Sequence, residues 1–593
     1  MKDLIKKIND SLKSIFKENG IDEKYAYISI SGRPDLADYQ INSCFNIAKI
    51  SKKNPYDIAT SIKTMIEDAK IDDVKIFKEV QPSMPGFVNL KINDELLHKY
   101  FVDVLNDKNL GIDGKEILGD KFVKEILLDY GGANVAKPLH VGHLRVAVIG
   151  EALKRLYNRL NIKTISDVHL GDYGLQMGLV IEELKDENKV DNFTIEDLEV
   201  IYPKASLRAK GDPNKNIEGD AEFSVRAHLA TKRLQDNLEP ETSIWKKILK
   251  MSIDDLKIRY GELNVSFDYY YGESTVKDIM EDMVDDLINK KIAYLSNGAY
   301  VIDVKVDSDK KEMPPCIIRK SDGAVLYATS DLATIKFREE NFSVDEYVYV
   351  VDKRQSLHLE QCFRASKKAG LLKSDKIFKH VAVGTMNGKD GKPFKSRDGG
   401  VYKLSSLIED AKNKAKVVLK ENNRDMTGLD EDGISKMIAI SALKYGDLSN
   451  SPTRDYIFDI DKFLSFQGNT GPYILYTLVR IKSIFDRLDV DVTDFNDLTF
   501  TGNGESDIIH NIYLKAIRYI DALYEAYENY DPSVICKFIY ELSNDFNTFY
   551  HEHNIINEEN QDKKNNYIFI LYLVDRIIRD ALSILAIDVP EKM

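Results

Sequence analysis

One stretch limits what this chain can fold into more than any other: residues 126–150, ILLDYGGANVAKPLHVGHLRVAVIG. Its apolar opening, Ile126-Leu127-Leu128, is short enough for a strand buried on both faces of a parallel sheet. Gly131-Gly132 breaks the pattern, and Pro138 keeps a helix from starting early. From Leu139 the apolar positions recur at helical spacing, through Leu144, Ala147, Val148 and Leu153. A strand, a glycine turn and a helix in that order present backbone N–H groups at a helix N-terminus, which suits a phosphate. His140 and His143 flank Gly142 three residues apart, so both reach one face of the first turn, with Lys137 adding a fixed positive charge. Alone, the His-x-Gly-His pattern fits a helix cap with a surface histidine equally well.

Composition excludes more than it selects. At 593 residues there is room for three or four domains, and 43% apolar with 30% charged residues suits a soluble globular chain. No window of eighteen uncharged apolar residues occurs, so no membrane-spanning helix is expected. Leu4, Ile8, Leu12 and Ile15 form an amphipathic stripe, and Asp3, Asp10 and Glu18 add acidic residues to the same stretch. That fits neither a signal peptide nor a mitochondrial presequence, and a cytoplasmic location is expected. Cys44, Cys316, Cys362 and Cys536 form no Cys-x-x-Cys pair. Buried thiols in a reducing compartment are therefore expected, with no disulfide framework, zinc knot or resident metal. A net charge of −14 argues against a generally basic nucleic-acid binder but permits a local basic groove.

The motifs decide the class. Within Asn134-Val135-Ala136-Lys137-Pro138-Leu139-His140-Val141-Gly142-His143-Leu144-Arg145, the histidine pair resembles the His-Ile-Gly-His signature of class I aminoacyl-tRNA synthetases. The Asn-x-Ala-Lys-Pro lead-in is similar to that of arginyl-tRNA synthetases in particular. About 250 residues later a glycine-rich loop carries Lys389, Lys392, Lys395 and Arg397. Such a run alone defaults to a solvated loop, but Lys392-Pro393-Phe394-Lys395-Ser396 resembles the second class I signature, Lys-Met-Ser-Lys-Ser. The resemblance runs from about residue 30 to Met593.

It implies an α/β fold: a Rossmann-type class I synthetase catalytic core with an N-terminal α/β domain and a C-terminal all-helical domain. Residues 1–115 read as the first domain. In it come a helix, a strand-like run Tyr25 to Ile30, a helical stretch from Asp38 to Ala69, and strands from Val74 to Val80 and Phe87 to Ile92. Gly32-Arg33, Asp38-Tyr39-Gln40 and Gly86-Phe87-Val88-Asn89 resemble the family's additional N-terminal domain, which contacts the outer corner of tRNA. The core spans 116–400, with a mostly helical insertion at about 186–286 and hairpin turns at Asn297-Gly298 and Asp322-Gly323. Beyond Tyr402 the chain reads as helical to its end. A connecting segment spans 401–465, and 466–593 resembles the DALR-type anticodon-binding domain, reading Asp580-Ala581-Leu582-Ser583.

Adenylate formation needs positioning and charge stabilisation more than covalent help. The resemblance implies that His140, His143, Lys392 and Lys395 stabilise the phosphates as they react. Lys137, Gly142, Met386, Lys389 and Ser396 complete the ATP site, with Mg²⁺ carried on the phosphates. A guanidinium calls for a carboxylate fork and a flat partner. Tyr327 and Asp331, four apart, share a helix face. By resemblance they read the guanidinium with Asp129, while Asn134 and Gln355 hold the amino and carboxylate end and His143 borders it. The run from Gly171 to Gly178, Gly-Asp-Tyr-Gly-Leu-Gln-Met-Gly, lines the same pocket in the family. Tyr473, Tyr476 and Met593 are the expected tRNA surface, although such a tyrosine stripe is equally ordinary core. L-Arginine, ATP and tRNA(Arg) are the implied partners of a monomer with no membrane contact. Other readings are a cysteinyl-type class I enzyme, which lacks its zinc-binding cysteines here, a nucleotidyltransferase, and a non-catalytic tRNA-binding paralogue.

Overall fold

The computed structural model describes residues 4–212, 217–321, 326–392, 394, 402–421, 430–498, 500–502 and 506–593. At its centre four strands, β1 Glu125–Tyr130, β2 Lys163–Asp167, β3 Glu346–Asp352 and β4 Ile377–Val383, form an all-parallel sheet in the order β4-β3-β1-β2. The apolar run at β1 works as the period of a strand requires. Ile126 and Leu128 join the large core that includes the following helix, while Leu127 points the other way, into a cluster with Tyr347, Tyr349 and Phe363. That following helix, α1 Val141–Arg159, packs so closely that a Cβ on Gly150 would lie 2.3 Å from the Tyr130 ring.

β1 has β2 on one side and β3 on the other, so the chain leaves it in opposite directions. The carboxyl ends of β1 and β3 therefore open into a crevice, where open parallel sheets bind ligands. Two more helices complete the frame: α2 Tyr327–Asn341 leads into β3, and α3 Ser356–Lys368 follows it. The helical insertion, over Ile195–Lys210, Ala221–Gln235 and Glu241–Gly261, is tied to the core by the lone tryptophan. Trp245 Nε1 donates to the carbonyl of Asp172 at 2.7 Å. The chain then returns beside β2, with bridges Asp167↔Tyr269 and Leu170↔Gly272.

Several expectations are corrected. The stretch from Asp38 to Ala69 is not one helix: Tyr39–Ile41 is a strand, followed by helices Cys44–Ser51 and Pro55–Ile66. Asn54 caps the second helix through the Tyr56 N–H, and Pro55 at its first position prevents continuity. Of the run Tyr25 to Ile30, only Ser29–Ile30 is strand. The Asn297-Gly298 turn joins strands Tyr294–Ser296 and Ala299–Ile302, both turn residues having positive φ. Asp322-Gly323 lies outside the described residues. The strand before it, Cys316–Arg319, pairs back with Ala299–Ile302, and helix α2 begins at Tyr327, so no second strand follows among the described residues. Past Tyr402 the one strand among the described residues is Tyr456–Ile457, which pairs in parallel with Met386–Asn387; the other regular elements there are helical.

The C-terminal helices include α4 Glu431–Leu448, α5 Gly471–Leu488, α6 Ser533–Glu552 and α7 Gln561–Ile584. The N-terminal domain docks on them: His510 lies 2.5 Å from Asp94 and 3.0 Å from Asp38, and His98 lies 2.9 Å from the Tyr513 hydroxyl. Arg145, fully buried on α1, joins the core to this region. Its guanidinium donates to the carbonyls of Arg454 (2.7 Å) and Ser451 (3.0 Å), lies 3.6 Å from buried Asp447 and stacks on Tyr456. Arg145→Ala would leave buried Asp447 without its counter-charge, held only by the Tyr456 hydroxyl at 2.8 Å. It should lose ~3–5 kcal/mol, seen as a large drop in thermal midpoint; an unchanged midpoint would show that the cluster holds nothing together.

Candidate active site

The turn after β1 places both histidines. His140 is the N-cap of α1 in extended backbone, and its Nδ1 accepts the Gly142 N–H at 3.1 Å. His143 Nδ1 accepts the His140 N–H at 3.0 Å, and the rings sit 3.8 Å apart. Burial, with the Lys137 charge, pushes the His140 pKa down. Burial and neighbouring His140 push His143 down to about 3. Both rings are therefore neutral near pH 7. With each Nδ1 accepting, each proton sits on Nε2; that of His140 is left at the helix N-terminus, while His143 also bonds the Gly132 backbone. Capping and phosphate holding, alternatives in the sequence, coexist in one geometry.

The second signature is brought to the first by backbone. Val141 N–H donates to the Tyr402 carbonyl at 3.0 Å, and Leu404 N–H to the Leu139 carbonyl at 2.9 Å. Phe394 packs edge-on to Tyr402 at 5.5 Å, and its N–H reaches the Met386 carbonyl at 3.1 Å. Phe394 and Tyr402 are thus held together near the start of α1; Lys395 and Ser396 lie outside the described residues. Lys389 is exposed, 3.4 Å from Asp459, and Lys392 closes a turn whose carbonyl accepts the Gly388 N–H. Met386 is buried. Lys137 lies over the Tyr202 ring of the insertion at 4.4 Å.

At the crevice between β1 and β3 lies a cavity of about 470 Å³, within the range of small-molecule sites. Asp129, Asn134, Tyr327, Asp331 and Gln355 all line it, so five residues from three separate segments meet there; His143 is not among its lining. Asn134 is seated by the Gly171 backbone, where a Cβ would lie 2.2 Å from Asn134 Oδ1. Gln176 fixes that loop by donating to the Gly171 carbonyl at 2.7 Å. Asp172 is buried and accepts from the Ser274 N–H at 2.9 Å and its hydroxyl at 2.5 Å. That latch delivers Glu273, also a lining residue, into the cavity.

Asp129 differs from its expected role. Its carboxylate sits 2.7 Å from Arg338, a fully buried side chain of α2 that also bonds Asp167 (2.7 Å) and the Tyr349 hydroxyl (2.8 Å). A guanidinium of the protein already fills this fork. Asp331 bonds His358, and that hydrogen bond raises the histidine pKa. Glu273 escaped sequence reasoning. No local pattern in Gly272-Glu273-Ser274 says that its acid is half-buried in a pocket. Burial, opposed by His169 and reinforced by Asp172 and Asp331, lifts Glu273 to about 7.

In the helical domain, Tyr473 is half-buried, its hydroxyl engaged by Asn544 (2.6 Å) and Asn547 (2.7 Å) and its ring edge-on to Tyr540. Tyr476 is half-buried under the Arg480 guanidinium, which also lies over Tyr550. Met593 packs against the core.

A parallel-sheet crevice with a His-x-Gly-His helix start, and a second lysine-rich loop anchored next to it, defines a class I aminoacyl-tRNA synthetase. Comparison with known proteins carries this further. The family model for the catalytic domain of class I tRNA synthetases (R) matches residues 106–460. Models for the DALR anticodon binding domain and the arginyl tRNA synthetase N terminal domain match 474–593 and 2–92. The chain is 42% identical to the arginine–tRNA ligase of Alkaliphilus oremlandii and 41% identical to that of Agathobacter rectalis, covering 100% of both chains in each case. The solved arginyl-tRNA synthetase from Plasmodium falciparum shares the fold, with a TM-score of 0.79 at 23% identity over 100% of both chains. The chain belongs to the arginyl-tRNA synthetase family, class I ligases that join arginine to tRNA(Arg) with ATP. Among its described residues no helix is long and apolar enough to cross a membrane.

Proposed function

We propose that arginine is activated in the crevice between β1 and β3. Its guanidinium lies between Asp331 and Glu273 beside Tyr327, and its amino and carboxylate end lies toward Asn134 and Gln355. The carrying observation is the convergence of these acids in one cavity next to the turn at His140. Asp129, neutralised by Arg338, supports the floor. The Nε2–H group of His140, with His143 beside it, takes the ATP phosphates. Lys395 and Lys392 draw charge off the departing pyrophosphate, with Lys389, Ser396, Lys137 and Met386 at the edge of the ATP site. Mg²⁺ arrives on ATP. Residues 1–115 form the tRNA-corner domain, 116–400 the catalytic domain with its insertion at about 186–286, 401–465 the connector and 466–593 the anticodon domain. Tyr476 with Arg480 is the better stacking platform for a base than the engaged Tyr473, and the chain end at Met593 borders it. The protein works as a cytoplasmic monomer.

Glu273 gives this reading a pH signature. Below about pH 7 it holds a proton in the empty pocket, and a guanidinium must expel it on binding. The arginine Michaelis constant should therefore rise as pH falls below 7, by up to roughly tenfold per unit, and level off above it. Glu273→Gln should remove that slope. A slope that persists in the variant would contradict the assignment.

Helix α1 also links the two ends of the molecule. His140 caps its start, while Arg155 and Arg159 near its end bond the Ser583 carbonyl (3.2 Å) and Asp580 (2.7 Å) on α7. Nineteen residues make this a rod of about 28 Å from anticodon domain to ATP. Binding of tRNA(Arg) should therefore be needed for full activation. The test is ATP–pyrophosphate exchange with arginine, with and without tRNA(Arg). An equal rate in the two would count against the coupling.

A further inference from the structure

One cluster beside the arginine pocket has donors that the activation scheme does not use. Cys362 follows His358 by four on α3, so both project from one face, and the Cys362 sulfur lies 3.7 Å from His358 Nε2. The same Nε2 is hydrogen-bonded to Asp331 on α2. One ligand atom from each of Asp331, His358 and Cys362 lies within 4.8 Å of the other two. Cys316, on the strand Cys316–Arg319, interacts with Cys362 but stands outside that group of three. The two thiols are far apart in the sequence, and both are free and buried as expected.

The donors are of the kind a thiophilic divalent cation takes in four-coordinate geometry with one position left open: one imidazole nitrogen, one carboxylate oxygen and one sulfur. Metal–sulfur and metal–nitrogen bonds of about 2.3 and 2.0 Å at a tetrahedral angle hold sulfur and nitrogen about 3.5 Å apart. The present 3.7 Å is close to that. Both cysteines are buried, at 1% and 0% exposure, whereas Asp331 and His358 open onto the cavity at 29% and 32% of their side chains. The route in is therefore the arginine pocket itself.

We propose that Asp331, His358 and Cys362 form a binding site for a thiophilic divalent cation such as Zn²⁺, with Cys316 beside it, and that this cation and arginine exclude one another because both take Asp331. The exclusion rests on Asp331 being a guanidinium carboxylate. Binding replaces the proton between His358 and Asp331 and displaces that of the Cys362 thiol, so cation affinity rises with pH. The consequence is inhibition by a cation that competes with arginine rather than with ATP.

Cobalt(II) is the probe. Added without oxygen to the full-length protein, Co²⁺ should give a one-to-one thiolate-to-cobalt charge-transfer absorption and the visible bands of a four-coordinate ion. Cys362→Ser and His358→Gln should lose both, while Cys44→Ala, which removes a remote buried thiol, should keep them. Cys362→Ser should still charge tRNA, which shows that it folds. Saturating arginine should weaken the apparent Co²⁺ affinity at least tenfold, and Zn²⁺ should raise the arginine Michaelis constant in the wild type but not in Cys362→Ser. Absence of the thiolate band, or a band that persists in Cys362→Ser, overturns the site. A band that arginine does not shift overturns the exclusion and locates the fault in the role given to Asp331, with the cation site standing.

Discussion

Asp331→Asn should lower arginine activation by at least about a hundredfold, the order expected when one partner of a desolvated charge pair is removed. Asp331 is the acid on α2 that faces the cavity, one turn after Tyr327, and its present partner is a histidine rather than a fixed cation. A guanidinium can displace that partner; it cannot displace Arg338 from Asp129 as readily, because Arg338 is fully buried and bonded to three groups. The loss should be selective. Lysine has charge without a planar two-point fork, and citrulline has the shape without the charge. The wild type should reject both, and Asp331→Asn should narrow the gap between arginine and citrulline. The ratio of adenylate formation with the two substrates decides the matter. If it does not move in the variant, Asp331 does not read the guanidinium, and Glu273 becomes the residue to replace.

His140→Asn should lower the turnover of adenylate formation by roughly a hundredfold or more, the loss typical of one preorganised donor to a transition-state oxyanion. Asparagine is chosen because it is among the best N-cap residues, so the bond from Gly142 N–H is kept while the Nε2–H donor disappears. Thermal stability should hardly change. The Michaelis constant for ATP should also change little, because the donor works mainly on charge that develops during the reaction. A variant that unfolds more easily at full turnover would mean that His140 is a cap and nothing more.

Much of this site was legible in the sequence because its parts are local. The apolar run of β1, Gly131-Gly132 and the helical spacing after Leu139 are each read within a few residues, and together they define strand, turn and phosphate-ready helix. What escaped depends on contacts between distant segments. Tyr39–Ile41 is a strand because Phe87–Ile92 pairs with it, and three residues inside a helix-like stretch carry no signal of that. Arg338 lies seven residues after Asp331 on one face of α2, yet only the packing of α2 across the sheet brings it to Asp129 and Asp167. Glu273 is brought into the pocket by the latch of Ser274 onto Asp172. Cys316 and Cys362 meet because α3 covers the small three-stranded sheet. Tyr473 shows the reverse: a residue that reads as a platform has its hydroxyl committed to Asn544 and Asn547.

The central claim is that the acidic crevice at the ends of β1 and β3 selects arginine for activation. ATP–pyrophosphate exchange, run in the presence of tRNA(Arg) with each of the twenty amino acids and with citrulline, tests it most directly. Arginine alone should support rapid exchange, lysine and citrulline should lie at least two orders of magnitude below it, and Asp331→Asn should remove most of the arginine signal. Exchange supported by another amino acid at a rate comparable to arginine, or an arginine rate untouched by Asp331→Asn, would contradict the account.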